Sequence, residues 1–169
     1  MSSYEGLKLL SKRGDNEIAG MVEKKYKYLM SKTRGIKPMQ GFLEFFYMLK
    51  KNNLPVGLFS SSDKIFVRHI LTELGILQDF SVVVCGNEVS RAKPSPEGYL
   101  KAAKALNVMP QECVVIEDSI HGIIAAKAAG MKVVAVTTTH ERNFLLDAGL
   151  IVDSLAELSL KKLEALFRA

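Results

Sequence analysis

The chain is expected to fold as an α/β protein, a Rossmann-like parallel sheet with helices on both faces. Short apolar runs alternate with segments of helical period from about residue 40 to the end, which is the pattern of strands joined by helical crossovers. Hydroxyl, lysine and acidic clusters follow directly after those runs, where doubly wound sheets gather their ligands. At 169 residues and 48% hydrophobic content, the chain can bury one substantial core.

Taken in order, Phe42 to Leu49 carries apolar residues at helical spacing and ends in Lys50-Lys51-Asn52-Asn53. Pro55 to Phe59 is a short apolar run, predicted as a buried strand. Ile65, Phe66, Ile70, Leu71 and Leu74 recur with a period near ~3.6, and Gly75 stops that helix. Val82 to Val84 reads as a strand, Tyr99 to Leu106 as a helix and Val114 to Ile116 as a strand. A small-residue helix from Ser119 to Ala129 follows, with Gly130 as its stop. Val133 to Val136 is a strand, Arg142 to Ala148 a short helix, Leu150 to Val152 a strand and Leu155 to Phe167 a closing helix. Residues 1–34 are polar, basic and helical in pattern, which sets a boundary near Gly35-Ile36-Lys37-Pro38.

Composition excludes several classes. No apolar run reaches 18 residues, so no transmembrane helix is expected. Met1 to Gly6 lacks the basic-then-apolar order of a secretory signal. Cys85 and Cys113 stand alone in apolar surroundings, as buried reduced thiols of a cytoplasmic protein would. His69, His121 and His140 show no metal-ligand spacing. The net charge of +5 resides in residues 1–40, which hold nine Lys/Arg against four Asp/Glu. A solvated helical face explains this charge most simply, and steering of a phosphorylated substrate comes second. The segment lacks the aromatic interleaving of single-strand binders, so neither nucleic acid nor membrane is an expected partner.

Three clusters carry the chemistry. Ser60-Ser61-Ser62 lies between a strand and a helix start, where hydroxyls and free N–H groups make an anion site; a single serine capping the helix is the plainer alternative. In Lys93-Pro94-Ser95-Pro96, Pro94 favours an extended Lys93, Ser95 is placed at the N-cap and Pro96 at the first helical position. That would mount an ammonium on a stiff stem. Glu117-Asp118 closes the strand at Val114 to Ile116. Two carboxylates about 4 Å apart repel by ~4 kcal/mol at an effective dielectric near ~20, so a divalent ion with oxygen ligands, Mg²⁺ above all, is the expected companion. Capping of the following helix is the alternative.

Val56 to Ser62, Ala92 to Glu97 and Val115 to Gly122 resemble motifs II, III and IV of the haloacid-dehalogenase superfamily of phosphohydrolases. Ala125 to Met131 and Ala135 to His140 are similar to the branch holding β-phosphoglucomutase and related sugar-phosphate phosphatases. The resemblance implies a core at 35–169 and part of a helical cap at 1–34. It implies that Ser60 and the Ser61 N–H hold the transferring phosphoryl group and that Lys93 bridges it to the nucleophile. Asp118 would bind Mg²⁺ directly, with Glu117 helping directly or through water. Ala92 stands where many members have glycine, and Asn87 is not carried over as a site residue. The implied reaction is Mg²⁺-dependent phosphoryl transfer on a small phosphorylated metabolite, as a phosphatase or a sugar-phosphate mutase.

The resemblance also implies an Asp-x-Asp pair on a first strand in the middle of the sheet, between the strands at 55–59 and 114–117. Its first Asp would form the aspartyl-phosphate and its second act as acid and base. The aspartates here are 15, 63, 79, 118, 147 and 153, and no two are two apart. The sequence therefore reads as a truncated or shortened member, inactive by itself. Complete, it would be a monomer; otherwise it would borrow a strand from a partner. The rival from another class is a non-catalytic phosphate-binding or interaction domain. No GxGxxG or GxxxxGK[ST] follows any strand, which disfavours dinucleotide and P-loop readings.

Overall fold

Residues 14–168 are described by the computed structural model, and residues 1–13 of the expected cap segment lie outside them. Helix α1 (Asp15–Lys32) is followed by α2 (Phe42–Lys51), β1 (Gly57–Ser60), α3 (Lys64–Glu73) and β2 (Val82–Cys85). Then come α4 (Glu97–Leu106), β3 (Val114–Glu117), α5 (Ile120–Ala128), β4 (Lys132–Val136), β5 (Leu150–Val152) and α6 (Leu160–Ala165). All strand pairing is parallel, as expected for this alternation, but the strands form two groups. β1 pairs with β2, from Gly57 opposite Val82 to Ser60 opposite Cys85. β3 pairs with β4 and β4 with β5.

Side-chain alternation explains why these strands are apolar throughout. Val133 and Ala135 of β4 join the cluster containing Tyr99, Ala102, Ile123 and Ala126 of α4 and α5. Val134 and Val136 turn the other way, onto Phe45 of α2 and Leu155. β1 does the same, with Phe59 in the α4 cluster and Leu58 among Phe46, Val67 and Leu71. Both faces are covered, so neither can be polar.

Between β1 and β3 runs a cleft of about 1140 Å³, lined by every residue of both strands. It occupies the place where the resemblance implies a central strand.

The structure moves several expected boundaries. The strand at Pro55 begins at Gly57, because Pro55 has no N–H to donate; Val56 still accepts from Ser81 N at 2.8 Å. The helix expected over Arg142 to Ala148 is one 3₁₀ turn, Arg142–Phe144. There Leu145 is fully buried, and the Arg142 guanidinium turns aside to Asp153 at 2.9 Å. The closing helix expected over Leu155 to Phe167 is broken. Ser154 caps a turn at Leu155–Glu157, and Ser159, accepting from Lys162 N at 3.4 Å, starts α6 afresh. Two capping serines five residues apart restart the chain and outweigh its leucine periodicity.

Helix α1 docks on α3. Buried Tyr26 donates to Asp63, its ring lies 6.2 Å from that of Phe66, and Thr33 Oγ1 meets His69 Nε2 at 2.8 Å. Its lysines 24, 25, 27 and 32 are exposed, as a solvated face requires. Among the described residues, no helix is long and apolar enough to cross a membrane.

Both cysteines are free thiols, but only Cys85 is buried; Cys113 is half-buried. Burial, reinforced by the neighbouring Glu88 charge, pushes the Cys85 thiol up to about 11. Iodoacetamide at pH 8 should therefore modify Cys113 well before Cys85, read by peptide mass spectrometry. Equal rates would show that β2 opens readily.

Candidate active site

β1 ends at Ser60, and the loop that follows is pinned from two sides. Ser60 Oγ accepts from Ser62 N at 3.1 Å, and Ser62 O accepts from Gly86 N at 2.9 Å. A Cβ on Gly86 would overlap the Ser61 carbonyl, so only glycine lets the two loops touch. The N-cap of α3 is Asp63 and none of the three serines, which removes the plainer explanation of that cluster.

Lys93 sits in a tight turn closed by Ser95 N donating to Ala92 O at 2.9 Å. The Lys93-Pro94 peptide is cis. The N-cap of α4 is Pro96, one residue later than the sequence pattern suggests, although Ser95 Oγ still accepts from Glu97 N at 3.3 Å. The stem is nonetheless held. The Lys93 ammonium lies 4.9 Å from the Phe59 ring centre and 5.1 Å from that of Tyr99. Those two rings meet edge to face at 5.1 Å.

The ammonium points at Glu117, and this contact redefines the acidic pair. Glu117 is 8% exposed. It accepts from Lys93, from Tyr99 OH at 2.5 Å and from Ser119 Oγ at 2.8 Å. The backbone N–H groups of Asp118 and Ser119 donate to it at 3.3 Å each. Burial alone would push its carboxyl up, but the Lys93 charge and these hydrogen bonds outweigh burial and hold it below the ordinary carboxylate range. The same burial, with the Glu117 charge next, pushes the Tyr99 phenol up, so Tyr99 remains a donor.

Asp118 faces the other way. Its carbonyl accepts from Thr139 Oγ1 at 2.6 Å and from His140 Nδ1 at 3.0 Å. Its Oδ2 accepts from Thr138 Oγ1 at 3.2 Å, while Oδ1 has no hydrogen-bond partner among the described residues. The cation that relieves the Glu117-Asp118 repulsion is thus in part the chain's own lysine, 24 residues upstream. Both Glu117 oxygens accept hydrogen bonds, whereas Asp118 Oδ1 accepts none among the described residues.

Ser60, Ser61, Lys93, Glu117 and Asp118 all line the cleft; Ser60 and Glu117 end β1 and β3, and Lys93 spans from Phe59 of β1 to Glu117 of β3. Against this geometry, residues 4–136 match the model of the haloacid dehalogenase-like hydrolase family. The chain belongs to this family. Validoxylamine A 7′-phosphate phosphatase of Streptomyces hygroscopicus subsp. limoneus is 40% identical over 119 residues, 70% of this chain and 56% of that protein. β-Phosphoglucomutase of Bacillus subtilis (strain 168) is 34% identical over 147 residues, 87% of this chain and 63% of that protein. The crystal structure of β-phosphoglucomutase from Clostridium difficile superposes with a TM-score of 0.82 at 28% identity, covering 99% of this chain and 78% of that one. This haloacid dehalogenase-like chain therefore spans little more than half the length of these two curated relatives.

Four site residues escape the sequence reading: Tyr99, Thr138, Thr139 and His140. The last three follow the carboxyl end of β4, the position that flagged the other loops, so topology could have found them. His140, read as an ordinary side chain, holds the Asp118 backbone.

Glycine at 122 is also set by the site. A Cβ there would fall inside the Glu117 carboxylate. Gly122→Ala should displace Glu117 from Lys93 or push α5 outward, destabilising by on the order of 3 kcal/mol in urea unfolding. An unchanged midpoint would mean Glu117 has room to move.

Proposed function

We propose that this chain carries the phosphoryl-binding and Mg²⁺-binding part of an enzyme that transfers phosphoryl groups from small phosphorylated metabolites. The observation that supports this is that Ser60, Ser61, Lys93 and Asp118 all line one cleft, with Asp118 Oδ1 free of hydrogen bonds among the described residues. The Ser60 hydroxyl and Ser61 N–H donate to phosphoryl oxygens, and Lys93 offsets their charge. Glu117, with Tyr99 and Ser119, keeps Lys93 charged and aimed. Thr138, Thr139 and His140 hold the Asp118 carbonyl and Oδ2, which leaves Oδ1 as the oxygen for the ion.

The donor set fits Mg²⁺ modestly. Among the described residues no three His, Cys, Asp or Glu side chains cluster as metal ligands. Mg²⁺ uses one or two carboxylates and otherwise water and phosphate oxygens, so Asp118 with a bound phosphate suffices. Bound there, the ion would neutralise charge on the phosphoryl oxygens.

Asp118 is the one aspartate lining the cleft among the described residues, and its fixed carboxylate is assigned to metal. The attacking carboxylate of an aspartyl-phosphate route is then not among this site's residues. Accordingly the 169-residue chain should bind inorganic phosphate yet release none from p-nitrophenyl phosphate with Mg²⁺. A robust Mg²⁺-dependent rate, lost in Asp118→Asn, would place the nucleophile within this chain and contradict the assignment.

A further inference from the structure

The loop that leaves β4 meets Asp118 on one side and the end of β5 on the other. Its middle residues Thr138, Thr139 and His140 hold Asp118 at Oδ2 and at the backbone carbonyl. Its two ends, Thr137 and Arg142, are tied to a single atom. Thr137 Oγ1 donates to Asp153 Oδ1 at 2.8 Å, and the Arg142 guanidinium donates to the same oxygen at 2.9 Å. The other arm of that guanidinium donates to the Ile151 carbonyl at 3.1 Å, so Arg142 straddles the end of β5. Thr137 N extends the pairing of β4 with β5 by one bond, to Val152 O at 3.1 Å.

Asp153 is itself held. Its N–H and that of Ser154 both donate to Glu157 Oε1, at 2.8 and 2.9 Å. Beyond Arg142, fully buried Leu145 anchors the chain in the core. The Thr137 hydroxyl, and after it the Arg142 guanidinium, keep the Asp153 carboxyl below the ordinary carboxylate range, so it remains a charged acceptor for both. Thr138 and Asp118 line the cleft, whereas Asp153, Thr137 and Arg142 do not. An exposed ion pair of this kind adds little to stability by itself. Closing both ends of a loop on one oxygen does something else, because it fixes where the donors between those ends stand.

We infer that Asp153 is a positioning residue for Asp118. It closes the base of the 137–142 loop and so aims Thr138, Thr139 and His140 at Asp118. The link to metal binding rests on the proposed function, in which an Asp118 held in this way offers Oδ1 to the ion.

The test compares the full chain with Asp153→Ala and Asp153→Asn. Asparagine keeps an oxygen for Thr137 and Arg142 but drops the charge, which separates loop geometry from the pull of a remote anion on a cation. Calorimetric titration of Mg²⁺ with inorganic phosphate present should show affinity about 10-fold weaker in Asp153→Ala, as for lost support of a metal ligand. Asp153→Asn should restore most of it. In the metal-free protein, the Asp118 carbonyl carbon resonance, read through the Ser119 amide by NMR, should move upfield in Asp153→Ala as its hydrogen bonds loosen. In Asp153→Asn it should stay in place. The urea midpoint should be nearly the same for all three proteins. An unmoved carbonyl or an unweakened affinity in Asp153→Ala overturns the inference, and so does an asparagine variant as weak as the alanine one. A urea midpoint that falls in step with affinity also overturns it, since Asp153 would then support the whole fold. Failure of the parent chain to bind Mg²⁺ would sink the metal assignment instead, and the carbonyl resonance alone would decide the role of Asp153.

Discussion

Lys93→Met is expected to destabilise the chain by about 3–5 kcal/mol, because removing one member of a buried ion pair strands the other. The Lys93 and Glu117 side chains are 12% and 7% exposed. Without the ammonium, Glu117 would keep its bonds from Tyr99, Ser119 and two backbone N–H groups, but these alone would have to oppose the burial that pushes its carboxyl up. For a chain of this size the loss corresponds to a fall in Tm on the order of 10 °C. Adding Glu117→Gln should restore much of it, since the double variant buries no unpaired charge. The four stabilities, measured by urea unfolding, form a double-mutant cycle. Additive effects of the two substitutions would show that the contact contributes nothing, and Lys93 would then be free for other work.

Asp118→Asn should behave in the opposite way. The substitution is isosteric, keeps an oxygen to accept from Thr138 and leaves the carbonyl held by Thr139 and His140. Stability should therefore change within about 0.5 kcal/mol, as for a half-exposed position. Mg²⁺ affinity in the presence of phosphate should fall by more than about 100-fold, the upper range for losing a mere supporting group of a metal site. Calorimetric titration of Mg²⁺ into both proteins decides it. Unaltered affinity would move the metal elsewhere.

Local pattern carried most of the architecture. Each strand and its following loop could be read from apolar runs and their punctuation, and the clusters at 60–62, 93 and 117–118 from position relative to those runs. What the pattern could not show is which carboxylate meets which cation. Glu117 and Asp118 are neighbours in sequence and look like one metal-binding doublet. Alternation along the strand end turns Glu117 inward to Lys93 and Asp118 outward to Thr138, so they do different things. Tyr99 reads as an ordinary core position of α4, and only the fold puts its hydroxyl on Glu117. The helix breaks at Ser159 and after Phe144 are masked in the sequence by apolar residues that recur at helical spacing across them, while the serine caps act locally. The split between β1 and β3 concerns non-local pairing, which no window of sequence contains; only the family resemblance, with a strand implied between them that this sequence does not show, points to it.

The proposed function requires that one site at the cleft mouth hold phosphate and Mg²⁺ together. The direct measurement is calorimetric titration of inorganic phosphate into the 169-residue chain with and without Mg²⁺, repeated for Asp118→Asn. Joint occupancy requires that Mg²⁺ strengthen phosphate binding by the factor by which phosphate strengthens Mg²⁺ binding, and that the variant lose this coupling. Phosphate affinity that is indifferent to Mg²⁺, or coupling that survives Asp118→Asn, would contradict a shared site.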